Sequence, residues 1–516
     1  MKERDHSKNG ITGLFEDQIT WLWDRFPRFD KEGEEIVGWQ AGAAAEYLIE
    51  RAAKAGVVDP EGLRRGVGTW IDDDTGGIIV HCGDKVFRSG RFQGLGRYGG
   101  KIYTAKPRMP APAKHPAAAV DVHRLRELFG RWSWRRPEID PDLLIGLVAS
   151  ALMVGALDWR PSGWITGGAG SGKTTLQGLV DDIVGDWMLK LSSTSPAGVR
   201  DVLSGDARPV SLDEFEPAAQ GDREAEVLTL VRIGSTRDAG GIARSSPDLK
   251  GRVISFQAQF LMSSILIPSM GDASWDRITV LELDPLTPDA LAARREIEAA
   301  ITSFRAFGPA LHRRLIDRWG EFRGQFDAWR LALGSIGHSS RAADQLGTLL
   351  TVSSMLLYDQ PPDEAVVAEA LSHLQPAVLA EASDRADNPT RCIERLLTSP
   401  AGQWAGGSQL TVGELVHRAA FADPGEADPA RQDLRRIGVD VVVIDGAKSL
   451  IVSTRHEGIA RIYAGTQWRA SPEGAGVWSQ ALGRLPGAKR GRTHRFKGVP
   501  PTKSVVIPLA TLDIDT

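Results

Sequence analysis

The eight residues GGAGSGKT at 167–174 constrain this chain more than any other stretch. The short apolar run 164–166 leads into them, and the amphipathic TTLQGLVDDIV follows. Strand, glycine-rich turn and helix in that order form the GxxxxGK[ST] pattern, whose backbone N–H groups and helix N-terminus surround phosphate oxygens. Such a loop sits at the carboxyl end of a strand in a parallel sheet, so the pattern predicts an α/β core. Gly167, Gly168, Ala169, Gly170, Ser171, Gly172, Lys173, Thr174 and Thr175 are the expected cradle for ATP. Lys173 is expected to contact the β- and γ-phosphates, and the Thr174 hydroxyl to ligate Mg2+.

A second acidic half fits this loop. In PVSLDEFE, 209–216, apolar residues lead to Asp213 and Glu214. Asp213 is expected to hold Mg2+ through its water shell, and Glu214 to polarise an attacking water. A kinase acting on a small metabolite has no need of that pair, so the pattern favours hydrolysis. Further on, FQAQFLMSSI, 256–265, reads as another apolar strand ending in polar residues.

At 516 residues the chain is long enough for about two to four domains. Its composition, 42% hydrophobic and 25% charged, is that of a globular protein, and a net charge of -4 gives no global field for nucleic acid. Any such surface must be local. The two cysteines, Cys82 and Cys392, lie far apart, which argues against a zinc site or a disulfide framework. The N-terminus MKERDHSKNG lacks an apolar signal segment, and the apolar run 143–157 is too short to cross a bilayer, so a cytoplasmic protein without a membrane partner is expected. The organisation reads as an N-terminal α/β module (1–105), a Pro/Ala-rich linker (106–120), the ATPase core with a preceding helical segment (121–285), a helical domain (286–387) and a C-terminal mixed α/β module (388–516). In the first module, Asp72, Asp73 and Asp74 read as turn chemistry, with a cation site as the competing reading.

From Trp159-Arg160 through the glycine-rich loop, SSTSPAGVRDVL, DARPVSLDEFE, FLMSSI and DRITVLEL, the sequence resembles the helicase-like ATPases of phage and plasmid primase–helicase proteins, in the superfamily 3 and AAA+ group. RRGVGTWIDDDTGGIIVHCGD upstream, and GTQW and WSQALGRLPGA downstream, are similar in weaker form. The resemblance implies an AAA+ P-loop NTPase core, assembled as a hexameric ring that hydrolyses ATP and moves along single-stranded DNA during replication. It implies a sensor at Ser263 or Ser264, with Ser264 the candidate and a buried capping serine the competing reading. It also implies that Arg277 is an arginine finger supplied to a neighbouring subunit; an ion pair with Asp276 or Asp272 is the alternative. Serine replaces the more usual Asn or Thr sensor, and no primase carboxylate motif or zinc ribbon is visible, so priming would fall to a separate primase or replication initiator.

Two basic segments are candidates for nucleic-acid contact. Superfamily 3 proteins place a basic hairpin before the sensor strand, and RSSPDLKGRVISFQ carries Arg244, Lys250 and Arg252 there. AKRGRTHRFKG, 488–498, carries Lys489, Arg490, Arg492, Arg495 and Lys497 with no acidic residue, His494 and Phe496 interleaved, and suits a winged-helix-like module. Solvated loops are the competing reading of both. Trp132, Trp134 and Trp159 could stack on bases or on the adenine ring, but packing of the helical segment against the sheet is the expected role. The reading from a different class is a nucleotide-switched assembly or DNA-binding protein with little turnover.

Overall fold

The computed structural model describes residues 7–512 except 16–17, 56–62, 192–195, 204, 214–221, 237–241, 246–250, 255, 266, 268–274, 287–293, 377–379, 402–409, 467, 471–475 and 498–499. The chain divides into two compact units, Met1–Arg64 and Arg65–Thr516. In the first, helices Lys8–Phe15, Ile19–Arg25 and Ala41–Ala55 and the hairpin Pro27–Phe29/Ile36–Trp39 share a small core of Ile11, Leu22, Trp39 and Ala44.

The second unit opens with four antiparallel strands, Gly68–Ile71, Ile78–His81, Val86–Arg88 and Arg91–Gln93, paired in sequence order. At their first turn Asp72 accepts from Arg88 Nε (2.7 Å) and Thr75 Oγ1 (2.8 Å), while Asp74 accepts from Arg88 Nη2 (3.0 Å). These aspartates are therefore spent on the turn and an ion pair. The sequence groups this sheet with residues 1–105, but it belongs to the second unit and is fastened to elements that follow it there. Val67 N donates to Asp206 Oδ1 (3.0 Å), Ala207 N to Val67 O (2.9 Å) and Thr69 Oγ1 to Leu152 O (2.7 Å). The Pro/Ala-rich stretch after it is likewise pinned down. Met109 N donates to Cys82 O, Ala113 N to Pro309 O, Ala117 N to Ala310 O, and Pro110 O accepts from Trp187 Nε1.

Five parallel strands form the centre: β1 (Ser162–Gly167), β2 (Leu189–Leu191), β3 (Ala207–Leu212), β4 (Gln257–Ser264) and β5 (Ile278–Leu283), in the order β2-β3-β4-β1-β5. The α/β class with a parallel sheet is as the sequence predicts. Both faces are covered, which explains why these strands are almost continuously apolar. One face packs on α1 (Ala119–Phe129), α2 (Asp140–Leu152), α3 (Lys173–Val184) and helices from the 308–357 region, through Leu147, Leu176, Leu281 and Leu349. The other face buries Trp164, Val210, Phe260 and Val280 against Leu230 and Val231 of α4 (Asp222–Gly234).

The apolar run 143–157 is thus a core element. Nearly every residue of α2 is buried, and a Cβ on Gly146 would lie 2.5 Å from the Leu349 carbonyl oxygen, so only glycine permits that helix contact. Among the described residues, no helix is long and apolar enough to cross a membrane. Helix α5 (Arg294–Phe304) follows the sheet, then α6 (Gly308–Asp317), α7 (Phe322–Ser335) and α8 (Ser340–Leu357). Gln345 on α8 grips the amino end of the sheet. Its Nε2 donates to Ser162 O and Thr279 Oγ1, both at 3.0 Å, and its Oε1 accepts from Trp159 Nε1 at 2.8 Å.

The C-terminal part has its own core, including Leu415, Leu434, Val452 and Trp478. Helix α9 (Ala380–Leu397) leads to a bridge between Pro400 and Thr411, then to α10 (Val412–Phe421), α11 (Pro424–Ile437) and a hairpin, β6 (Val439–Ile444) with β7 (Ala447–Ser453). Thr411 and Glu414 form a reciprocal capping box that starts α10. Strands β8 (Lys489–His494) and β9 (Thr502–Pro508) complete an antiparallel sheet in the order β6-β7-β9-β8, which leaves β8 on an edge.

Candidate functional site

The glycine-rich loop occupies the carboxyl end of β1, next to β4 on one side and β5 on the other. The chain leaves β1 for the far edge strand β2, and later crosses from β4 over β1 to β5. That reversal opens a crevice at the carboxyl ends, where open α/β sheets bind ligands. Gly170 (φ +77°) and Gly172 (φ +85°) take left-handed conformations that let the loop curl before α3 begins. The two kinds of glycine differ in surroundings. A Cβ on Gly172 would sit 2.8 Å from Trp132 Nε1, whereas Gly168 and Gly170 face open space. Gly168, Ala169 and Gly170 are exposed, as are Thr174 and Thr175 at the start of α3. Lys173 folds back over the loop, its Nζ donating to Gly167 O (2.6 Å) and Gly168 O (3.0 Å). The ammonium is held over the curl by these two carbonyl oxygens.

Asp213 follows the last residue of β3, and β4 brings Ser263 to it: Ser263 Oγ donates to Asp213 Oδ1 at 2.5 Å. Ser264 turns the other way and accepts from Trp164 Nε1 at 2.8 Å, fully within the opposite core. Neighbouring residues of a strand face opposite sides of the sheet, so one serine only can serve the acidic group. Ser263 has that position, and the candidate Ser264 faces the opposite core. Glu214 lies outside the described residues. Beneath the crevice, Gln177 of α3 donates to Ser211 of β3 (2.7 Å), tying the loop helix to the strand that carries Asp213.

Arg277 precedes β5 at the amino end of the sheet, the edge opposite the loop. Its Nε donates to Ser235 Oγ (3.1 Å), and its guanidinium lies 5.5 Å from the Trp159 ring centroid. Burial, with Arg341 and Arg232 close by, lowers its pKa. Five residue steps along β5 separate that end from the loop, about 16 Å at strand spacing, so Arg277 cannot reach its own loop.

Three tryptophans resolve as packing groups. Trp134 Nε1 donates to Phe129 O (2.7 Å), and Trp159 is held by Gln345. Trp132 does more, donating from Nε1 to Gly172 O at 3.1 Å and so fastening the loop to the segment after α1. A separation of 40 residues in sequence hides that link from any local pattern.

Of the basic candidates, Arg244 and Arg252 are paired backbone positions of an antiparallel hairpin, Ile242–Ser245 with Gly251–Ile254. Lys250 and the turn lie outside the described residues. Lys489, Arg490 and Arg492 are exposed on the edge strand β8, and Arg495 and Lys497 are exposed after it. Arg490 donates from Nη2 to Gln480 O. The interleaved aromatic groups are not available for base stacking. Phe496 is 2% exposed, and His494 Nε2 lies 2.7 Å from the buried Asp440 carboxylate, which also accepts from Arg435 Nε (2.7 Å).

No family model and no curated protein matches the chain. Among solved structures, it is similar to the apo structure of the NrS-1 C-terminal region at 12% identity and a TM-score of 0.32, over 85% of this chain and 95% of that one. A likeness that distant carries no argument about chemistry, and the site rests on its own geometry.

Proposed function

We propose that the chain is an ATP-hydrolysing motor that moves along single-stranded DNA as a ring, in the manner of a phage or mobile-element replicative helicase. The observation that carries the reading is the pairing of a glycine-rich loop, with Lys173 folded over it, and a Ser263-held Asp213 at one edge of a parallel sheet. The loop's exposed backbone and the N-terminus of α3 receive the triphosphate of ATP. Lys173 exchanges the Gly167 and Gly168 carbonyls for β- and γ-phosphate oxygens.

The donor set also fits Mg2+. Among the described residues no cluster of three or more acidic, His or Cys groups could hold a metal. Mg2+ suits such a site because it keeps waters and binds phosphate oxygens alongside one or two protein oxygens, here Thr174 and Asp213. Bound there, it would neutralise charge on the β- and γ-phosphates. Ser263 orients Asp213, and Glu214 polarises the water that attacks. Arg277, facing away from its own loop, serves the loop of a neighbouring copy in the ring.

The helix–bridge–helix–helix–hairpin order of the C-terminal part supports a winged-helix-like module, and the basic edge of β8 with the hairpin bearing Arg244 and Arg252 supplies phosphate contacts that ignore sequence. The test is ATP hydrolysis with and without single-stranded DNA, comparing the native chain with Glu214→Gln. Stimulation by DNA that disappears in the variant is the expected result. Turnover indifferent to DNA would replace the motor by a nucleotide-switched assembly protein, and the charges on β8 would then serve to block edge-to-edge pairing.

A further inference from the structure

Gly172 is the N-cap of α3 and makes no side-chain cap. The helix itself supplies no partner for its first amides, beginning with Lys173 N–H, and these are the groups a phosphate would meet. In a planar trans peptide the N–H points opposite to the C=O, so whatever fixes the Gly172 carbonyl also fixes the direction of Lys173 N–H. Gly172 has φ +85° and no Cβ, and it offers that peptide little resistance to turning. Two donors hold the carbonyl. Leu176 N, at 3.0 Å, makes the first bond of the helix, and Trp132 Nε1, at 3.1 Å, comes from outside it.

The sheet sets where that indole stands. Asp284 N donates to Ser133 O (2.8 Å), Arg135 N donates to Glu282 O (3.0 Å), and Trp134 forms an antiparallel bridge with Leu283, so residues 133–135 run along the end of β5. The same strand end meets the first glycine of the loop, since a Cβ on Gly167 would lie 2.4 Å from Leu283 O. One corner therefore supports both ends of the loop, Gly167 against β5 and Gly172 against the indole beside it.

We propose that Trp132 is a positioning residue for the triphosphate, holding the Gly172–Lys173 peptide so that Lys173 N–H faces the phosphates; the assignment rests on the nucleotide reading given above. Trp132 acts only through this peptide, and the peptide meets the phosphate chain in ground state and transition state alike. Its effect therefore falls on KM and not on kcat.

Trp134 is the internal comparison. It is equally buried, and its Nε1 donates to Phe129 O at 2.7 Å, away from the loop. Trp132→Phe and Trp134→Phe each remove one indole donor from a carbonyl and keep an aromatic ring. Trp132→His does the reverse, because imidazole Nε2 takes the place of indole Nε1 in the five-membered ring while the benzene half is lost. The full chain with Mg2+ is titrated calorimetrically with ATP and with inorganic tripolyphosphate. Trp132→Phe should weaken both ligands equally, by about three- to tenfold, the worth of one hydrogen bond. Trp134→Phe should bind both as the native chain does. Trp132→His should bind both more tightly than Trp132→Phe, although it melts at a lower temperature. In steady-state hydrolysis Trp132→Phe should raise KM for ATP by the same factor and leave kcat unchanged. Native affinity in Trp132→Phe, an equal loss in Trp134→Phe, or affinity that follows melting temperature across the variants would overturn the positioning role and leave the loop assignment standing. Failure of the native chain to bind either ligand would overturn both.

Discussion

Asp181 is where burial and charge conflict most directly. It lies on α3 about two turns beyond Lys173, is 7% exposed, and has no hydrogen-bond partner for Oδ1. Burial pushes its carboxyl from the ordinary 3.8 up to about 6; the Ser211 hydroxyl and Lys190 pull it down without prevailing, and Asp182 and Asp213 push it further up. Lys190 Nζ stands 3.9 Å from Oδ2, but its side chain is 57% exposed, so water screens the attraction. A folded-state pKa above the unfolded one means that the folded chain holds the extra proton between about pH 4 and pH 6. Stability from this group is therefore greatest in acid and falls as pH rises through that window. By about pH 7 the ionised carboxylate destabilises the fold by on the order of 3 kcal/mol. Asp181→Asn keeps the shape and removes the charge. Thermal unfolding of both chains from about pH 4.5 to pH 8 should show the variant melting several degrees higher at the alkaline end, at roughly 2–4 °C per kcal/mol, with the gap closing in acid. A gap independent of pH, or a less stable variant at about pH 8, would refute the reasoning.

Two comparisons test the geometry of the loop and its neighbour strand. Ser263→Ala should slow ATP hydrolysis while leaving the melting temperature near native. Ser264→Ala, which removes a partner from the buried Trp164 indole, should cost about 1–2 kcal/mol of stability and leave turnover per folded chain unchanged. Gly172→Ala should destabilise by about 1–3 kcal/mol, since its φ of +85° and a Cβ 2.8 Å from Trp132 Nε1 both oppose a side chain. Gly170→Ala carries the conformational strain alone and should cost about 1 kcal/mol, as read from denaturant unfolding.

The glycine-rich loop was legible because its chemistry depends on local spacing: seven positions decide how the backbone curls and where Lys173 stands. Asp213 was legible for the same reason, as an acid at the end of an apolar run. Which serine meets it was not, because that depends on the parity of β4, and parity is fixed only when Ser263 pairs with Ile165 across the sheet. Composition also misjudged residues 106–120. Proline and alanine suggest a spacer, yet the carbonyls and amides of that stretch are answered by Cys82, Trp187, Pro309 and Ala310, contacts no neighbouring residue announces. In the basic segment, charge was visible in sequence, while the burial of Phe496 behind it followed from the sheet that forms around it.

Strand β1 and the loop that follows it are tied to the helical layer at two points. At the amino end of β1 Gln345 holds Ser162, and beyond the loop, at the start of α3, Trp132 holds Gly172. Ties at both places oppose sliding of the strand and its loop against the helices beside them. The sheet and that layer are thus joined at both places, so a displacement of α8 or of the segment after α1 bears directly on the strand and on the glycine-rich loop.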